Sequence, residues 1–329
     1  MPATIGGMDA LSDVLRVVSL EGGVFLEAQF AAPWAIISQV EPQDLRHGLP
    51  ASAHLMAYHY IAAGAPLLQV GGAPPLALAE GEFVLLPHNQ RHTLGSAPGL
   101  TGIDAGTLVA PADGSGLARI RCDGDGEITR IVCGYIGCET GHHPLIDALP
   151  PVLRFDVRNW AAGGWVENLF RHAAAESAAA RPGSESSLAK VSELLFVEAV
   201  RHHLEVGTEP HRGWLAGLAD PVVGRALAVL HQEPARDWSV DELARRVHLS
   251  RSAFATRFTT LVGTAPLGYL ASWRMQLARR ALRGGSSVAQ AAALVGYESE
   301  AAFSRAFKRA AGIAPRDWKR RGGDAARVR

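Results

Sequence analysis

The C-terminal part of this 329-residue chain contains one sequence unit written twice, and a repeat limits the possible folds more than composition does. Ser239-Val-Asp-Glu242 and Ser287-Val-Ala-Gln290 both read as capping boxes. In such a box a serine and the side chain three residues on satisfy each other's backbone amides at a helix start. Ala244 and Val247 recur as Ala292 and Val295 at the same offset of 48. His248 then lies opposite Gly296. There the unit's first helix must end in a left-handed turn, which glycine adopts freely and histidine better than a branched residue. One added residue raises the offset to 49, and Ser250/Ser299, Phe254/Phe303, Phe258/Phe307, Gly263/Gly312 and Pro266/Pro315 match from there. Each unit predicts a helix, a tight turn and a second helix capped by serine. A phenylalanine pair at i, i+4 anchors that second helix and leaves another of its faces outward. This is a helix-turn-helix, whose second helix fits the major groove of DNA.

Charge supports the same partner. The chain has 32 Lys+Arg and 32 Asp+Glu, but Trp214–Arg329 holds 19 basic and nine acidic residues, a net of +10, which leaves −10 on Met1–Gly213. A basic segment beside an acidic one suits a polyanion; local drift of composition is the plainer alternative. An attraction between the two parts could also hold the protein off DNA. With 48% hydrophobic and 19% charged residues the chain is globular in composition rather than disordered. No apolar run reaches the ~18 residues of a membrane span. Asp9 and Asp13 stand where a secretory signal would carry basic residues, so the expected location is cytoplasmic, away from membranes. Three cysteines make no disulfide framework, which fits a reducing compartment.

The expected fold class is α+β multidomain: an N-terminal cupin-like β-barrel, a helical hairpin and a C-terminal all-α domain with two helix-turn-helix motifs. Leu11, Val14, Leu15 and Val18 predict a short helix within Asp9–Leu20. Short apolar runs follow (Val24–Phe30, Trp34–Val40, Phe83–Leu86, Ile128–Ile136), parted by Gly, Pro and Asp clusters. This texture predicts a β-sandwich or barrel. After Pro150-Pro151 the chain turns helical. Trp165–Ala180 and Leu188–Leu204, parted by Arg181-Pro182-Gly183, predict a helical hairpin. Its left-over apolar face, with Leu188, Val191, Leu194, Leu195, Val197 and Glu198, is a candidate homodimer seam, or packs only on its own domain. The expected divisions are 1–155 for the barrel, 156–206 for the hairpin, 207–218 for a linker and 219–329 for the DNA-binding domain.

The basic part resembles the DNA-binding domain of the AraC/XylS family of transcription regulators. Trp238-Ser-Val-Asp-Glu-Leu-Ala, Leu249-Ser-Arg-Ser-Ala-Phe-Ala-Thr-Arg-Phe, Gly263-Thr-Ala-Pro-Leu-Gly-Tyr-Leu, Trp273-Arg-Met, Val295-Gly-Tyr-Glu-Ser-Glu-Ala-Ala-Phe-Ser-Arg-Ala-Phe-Lys-Arg and Gly312-Ile-Ala-Pro carry the likeness. The resemblance implies two recognition helices in successive major grooves, joined by a long helix over about Pro266–Leu282. It further implies contact with RNA polymerase, and favours activation. Ser250, Arg251, Ser252, Ala255, Thr256 and Arg257 would form or border the first DNA-facing surface. Ser299, Glu300, Ala301, Ser304 and Arg305 would form the second. Arg305 suits bidentate reading of guanine, Glu300 the cytosine amine, and Ala255 and Ala301 a thymine methyl. Lys308, Arg309, Arg316, Lys319 and Arg320 suit phosphates. For each of these residues a solvated helix face is the alternative.

In the acidic part, Gly81-Glu-Phe-Val-Leu-Leu-Pro-His-Asn-Gln-Arg-His92 has the spacing of a second cupin motif, with Asn89 in place of a glycine. Tyr58-His59-Tyr60 sits where cupins place a first histidine pair, of which His59 alone is present. The part as a whole resembles the cupin sensor of one AraC-family branch, including Val132-Cys133-Gly134, Pro144–Pro150 and Leu188–Arg201. The resemblance implies a small-molecule effector. His59, His88 and His92, with Cys133 and Cys138, are the candidate effector or metal residues. No cofactor is required; a divalent metal held by His59 and His92 is one reading, half-buried hydrogen-bonding histidines the other. The cysteines are either redox-sensing thiolates or small core residues, and five positions apart they face opposite sides of a regular strand. The expected function is a sequence-specific, dimeric regulator controlled by a small molecule or redox signal, and not an enzyme. Two alternatives stand beside it: a metal-dependent cupin enzyme fused to a DNA-binding tail, and a cupin serving only as a dimerisation scaffold.

Overall fold

The computed structural model describes residues 10–17, 20–39, 54–108, 118–138, 144–159, 164–165, 168–170, 184–206 and 213–320. The chain divides into two compact units: Leu20–Thr208, and Glu209–Arg329 together with Met1–Ser19. By its contacts helix α1 (Ala10–Val17) groups with the C-terminal unit. The physical reason is its apolar stripe. Ala10, Leu11 and Val14 are buried, and the helix packs on two helices of the C-terminal unit.

The barrel unit holds β1 (Leu20–Ala31), β2 (Ala35–Ser38), β3 (His54–Ala63), β4 (Leu67–Val70), β5 (Leu76–Ala77), β6 (Glu82–Leu86), β7 (His92–Gly95), β8 (Ile103–Asp104), β9 (Ala118–Cys122) and β10 (Ile128–Cys138). Helix α2 (Pro144–Ala148), β11 (Leu153–Asp156) and α3 (Ser184–Val206) complete it. Two sheets form, ordered β11-β6-β3-β10-β1-β9 and β5-β4-β7-β2-β8. Side chains alternate across a strand, so parity assigns the faces. Ala57 and Ile61 of β3 join Val84, Cys133, Ile36, Leu68 and Leu94 in one core between the sheets, and His59 shares their parity.

Tyr58 and Tyr60 point the other way. Tyr60 stacks on Phe170 with ring centroids 4.5 Å apart, and the Tyr58 hydroxyl lies 3.4 Å from Ser192 Oγ on α3. α3 covers this part of the unit, burying Val191, Leu195, Phe196, Ala199 and Val200 and packing on β1. Of the predicted hairpin, residues 166–167 and 171–183 lie outside the described residues, and the second arm is one continuous helix.

The C-terminal unit runs α4 (Gly213–Ala219), α5 (Val223–Gln232), α6 (Val240–Arg246), α7 (Arg251–Val262), α8 (Pro266–Arg283), α9 (Val288–Leu294) and α10 (Glu300–Ala311). α6–α7 and α9–α10 are the two helix-turn-helix units, and α8 joins them within one residue of the predicted span. Phe254, Phe258, Phe303 and Phe307 are all fully buried. Ser287 and Gln290 close a complete capping box, whereas Ser239 makes only its half, because Glu242 turns to Arg236. His248 and Gly296 end their helices at φ of 60° and 77°. A polar thread runs through the core under α5 and α8. The Trp214 indole donates to the Tyr269 hydroxyl at 2.8 Å, and that hydroxyl lies 2.7 Å from His231 Nε2. Among the described residues no single helix is long and apolar enough to cross a membrane.

Candidate nucleic-acid interface and barrel interior

Burying the paired phenylalanines turns the opposite face of each recognition helix outward. On α7 that face exposes Ser252 and Thr256, while Ala255 is half-buried. Ser250 and Ser299 serve as helix caps, accepting from the Ala253 and Ala302 amides at 3.3 and 3.4 Å. Arg251 pairs with Asp241 at 3.2 Å.

Arg257, expected to form or border that face, is exposed and has a partner within its own unit. Its guanidinium forks onto Asp220, Nη2 to Oδ2 at 2.6 Å and Nε to Oδ2 at 3.1 Å. Asp220 also accepts from the Val222 and Val223 amides, so it caps the turn into α5 while holding α7. Burial opposes ionisation of Asp220; its bonds to Arg257 and to the two amides outweigh that and hold its pKa below the ordinary carboxylate value. Sequence reasoning missed this partner because Asp220 and Arg257 are distant in sequence. Asp220-Pro221, a turn signal, was the one local hint.

On α10, Ala301, Arg305, Lys308 and Arg309 are exposed and Ser304 is half-buried. Arg305, Lys308 and Arg309 make no hydrogen bond or ion pair among the described residues. Glu300 lies 3.6 Å from Arg316, so the residue expected to meet cytosine and one expected to meet phosphate face each other. Two further phosphate candidates have other partners. Lys319 Nζ donates to the Gly285 and Ser286 carbonyls at 2.8 and 3.0 Å, clasping the turn before α9. Arg320 pairs with Asp317 at 3.1 Å.

In the barrel the structure joins two of the predicted histidines and separates the third. His59 Nε2 and His92 Nε2 are 2.9 Å apart, both buried. His92 Nδ1 lies 2.8 Å from the Gln90 carbonyl, which only accepts, so Nδ1 carries the proton. His92 Nε2 must then accept from His59 Nε2–H, which leaves His59 Nδ1 as a bare acceptor. That atom has no hydrogen-bond partner among the described residues. Burial first, then the neighbouring imidazole, lowers the His59 pKa well below its ordinary value; burial lowers that of His92 against the Gln90 bond. Both rings are neutral at pH 7. His88 instead contacts the Leu149 carbonyl at 3.0 Å and half-buries itself there.

Among the described residues no three His, Cys, Asp or Glu side chains converge, and the two imidazoles face one another through their Nε2 atoms. Cys133 lies inside, across the ladder from His59, and burial pushes its thiol up to about 12. It lies among the core residues of the unit, in the thiol form. Cys138, of opposite parity on β10, is buried on the other side. Of the candidate seam, Val191 and Leu195 are buried in their own unit, Leu194 is 41% exposed, Val197 and Glu198 are half-buried, and Glu198 pairs with Arg201. The Leu188 side chain lies outside the described residues.

Two serine-capped helices of matched register, each backed by buried aromatics, and a two-sheet β unit define a DNA-binding transcription regulator. Comparison with known proteins agrees. A cupin family model matches residues 9–205 and a helix-turn-helix domain model matches residues 243–321. A putative AraC-like transcription regulator of Streptomyces lividans is 34% identical over 324 residues, spanning 95% of this chain and 98% of that protein. The HTH-type transcriptional regulator AlkR of Acinetobacter baylyi is 29% identical over 317 residues, spanning 95% and 99%. Among solved structures, the DNA-binding domain of AdpA, a global transcriptional factor in complex with a target DNA, is 31% identical; it covers 31% of this chain and 91% of its own, with a TM-score of 0.29. The chain belongs to the family of AraC-like transcription regulators.

Proposed function

We propose that the barrel governs DNA binding by taking up a small molecule, and that α1 carries the signal. The observation behind this is the docking of α1. It packs on α5 and α8, the helix that joins the two helix-turn-helix units, and burial of Leu11 and Val14 holds it there. Three residues after Val17, at Leu20, the chain enters β1, an inner strand of the larger sheet. A change in the barrel that draws on β1 therefore draws on α1, and an undocked α1 frees α8. Ligand uptake is supported by the bare His59 Nδ1, since buried polar atoms are rarely left unpaired. The effector would carry an N–H or O–H donor to meet it.

In this reading α7 and α10 enter successive major grooves. The regulator works as a homodimer at paired sites and activates by contacting RNA polymerase. Leu11→Asp with Val14→Asp in the full chain tests the relay. Undocking α1 should raise affinity for a selected DNA duplex by roughly five-fold or more, the lower end of ordinary coupling between sites. Fluorescence anisotropy reads it, and unchanged affinity would exclude α1 as the carrier.

A further inference from the structure

The offset of 49 that aligns the two recognition helices also aligns their outward faces, and there the copies differ in one consistent way. Thr256, Thr259 and Thr260 of α7 fall on Arg305, Lys308 and Arg309 of α10. All six are exposed. Three hydroxyls in one copy thus occupy the places of three cations in the other. The arginines that α7 does carry are engaged, Arg251 with Asp241 and Arg257 with Asp220. At the positions of Arg251 and Arg257 the second copy has Glu300 and Ala306. The outward face of α7 is therefore threonine, serine and alanine, with its charge neutralised; that of α10 presents three cations with no ion pair among the described residues.

We propose that the two helices divide the work of recognition. α10 anchors its half-site through Lys308 and Arg309 on phosphate and reads guanine with Arg305. α7 reads a thymine-rich half-site through the methyls of Thr256 and Ala253 and through hydroxyls, without a cation for the backbone. This rests on α7 and α10 being the helices that enter the grooves. The chemistry follows from the donors: a guanidinium matches guanine O6 and N7, and threonine and alanine methyls match the thymine methyl. Anchoring cations set affinity and its salt dependence, whereas a neutral face adds discrimination but little attraction at a distance.

The test uses the full-length protein and duplexes it enriches from a random-sequence library. The half-site whose base preference relaxes in Arg305→Ala belongs to α10, and the other to α7. Replacing every thymidine of the α7 half-site by deoxyuridine removes only methyl groups, and should weaken binding by about five-fold or more. Replacing guanines of the α10 half-site by 7-deazaguanine removes N7, and should weaken it by about ten-fold or more. Lys308→Ala with Arg309→Ala should lower the slope of log K against log salt by about two units, while Thr259→Ala with Thr260→Ala should leave it unchanged. Deoxyuridine tolerated within about two-fold, equal slopes in the two double variants, or no position relaxed by Arg305→Ala would each overturn the division. Failure of the full chain to enrich any sequence would instead overturn groove entry itself.

Discussion

His59 and His92 make a relay of fixed direction: Gln90 carbonyl, His92 Nδ1–H, His92 Nε2, His59 Nε2–H, and last the bare His59 Nδ1. Both rings favour the neutral form on folding, so the unfolded chain binds protons more readily than the folded one. The stability that this difference supports is complete above the ordinary histidine value of 6.5 and is lost as pH falls from there toward the depressed folded values. Thermal unfolding followed by circular dichroism should therefore show a transition that drops below pH 6.5. The same pH series with His59→Gln should be flatter; an equally steep series would place the protonation elsewhere. The cupin spacing made this pair legible in the sequence, because two histidines on facing strands need only the alternation of side chains to meet. It could not separate His88, four residues from His92, because the turn at Asn89 (φ of 45°) re-aims the chain between them.

At the scale of the element, the repeat was legible almost residue for residue. Caps, turns and aromatic anchors are local rules, satisfied within a few positions of chain. The left-handed turn between the helices of each unit illustrates both the rule and its limit. His248 and Gly296 share the conformation, but a Cβ on Gly296 would meet the Ala235 carbonyl oxygen at 2.2 Å, a backbone atom that cannot step aside. Gly296→Ala should therefore cost more than the 1–3 kcal/mol typical of a strained backbone alone, about 3 kcal/mol or more, in urea unfolding. His248→Gly should be near neutral, within about 1 kcal/mol. Equal effects at the two sites would show that the Ala235 contact yields. The sequence marked the turn, and packing against the Ala235 loop decides that only one copy demands glycine.

At the scale of the molecule, the split of a neutral chain into −10 and +10 located the DNA-binding unit, yet counting charges could not say which cations remain available. Arg257 and Lys319 are spent inside their own unit on Asp220 and on the Gly285 and Ser286 carbonyls, while Arg305, Lys308 and Arg309 are exposed without such partners among the described residues. The same holds for the apolar stripe of α3, whose Val191 and Leu195 close over the barrel and leave Leu194 outward. If α3 forms the homodimer seam, Leu194→Glu should convert a dimer into a monomer in sedimentation velocity without lowering the melting temperature; an unchanged dimer would move the seam off α3.

The sequence by itself determined the architecture, two helix-turn-helix units behind a β-barrel, because periodicity, caps and turn residues act over a few positions. Only the tertiary structure decided which of the cations find a partner in their own unit, that α1 packs on helices of the C-terminal unit, and that two of the barrel's histidines pair while the third does not. Each depends on a partner tens to hundreds of residues away, and no local rule encodes such a partner.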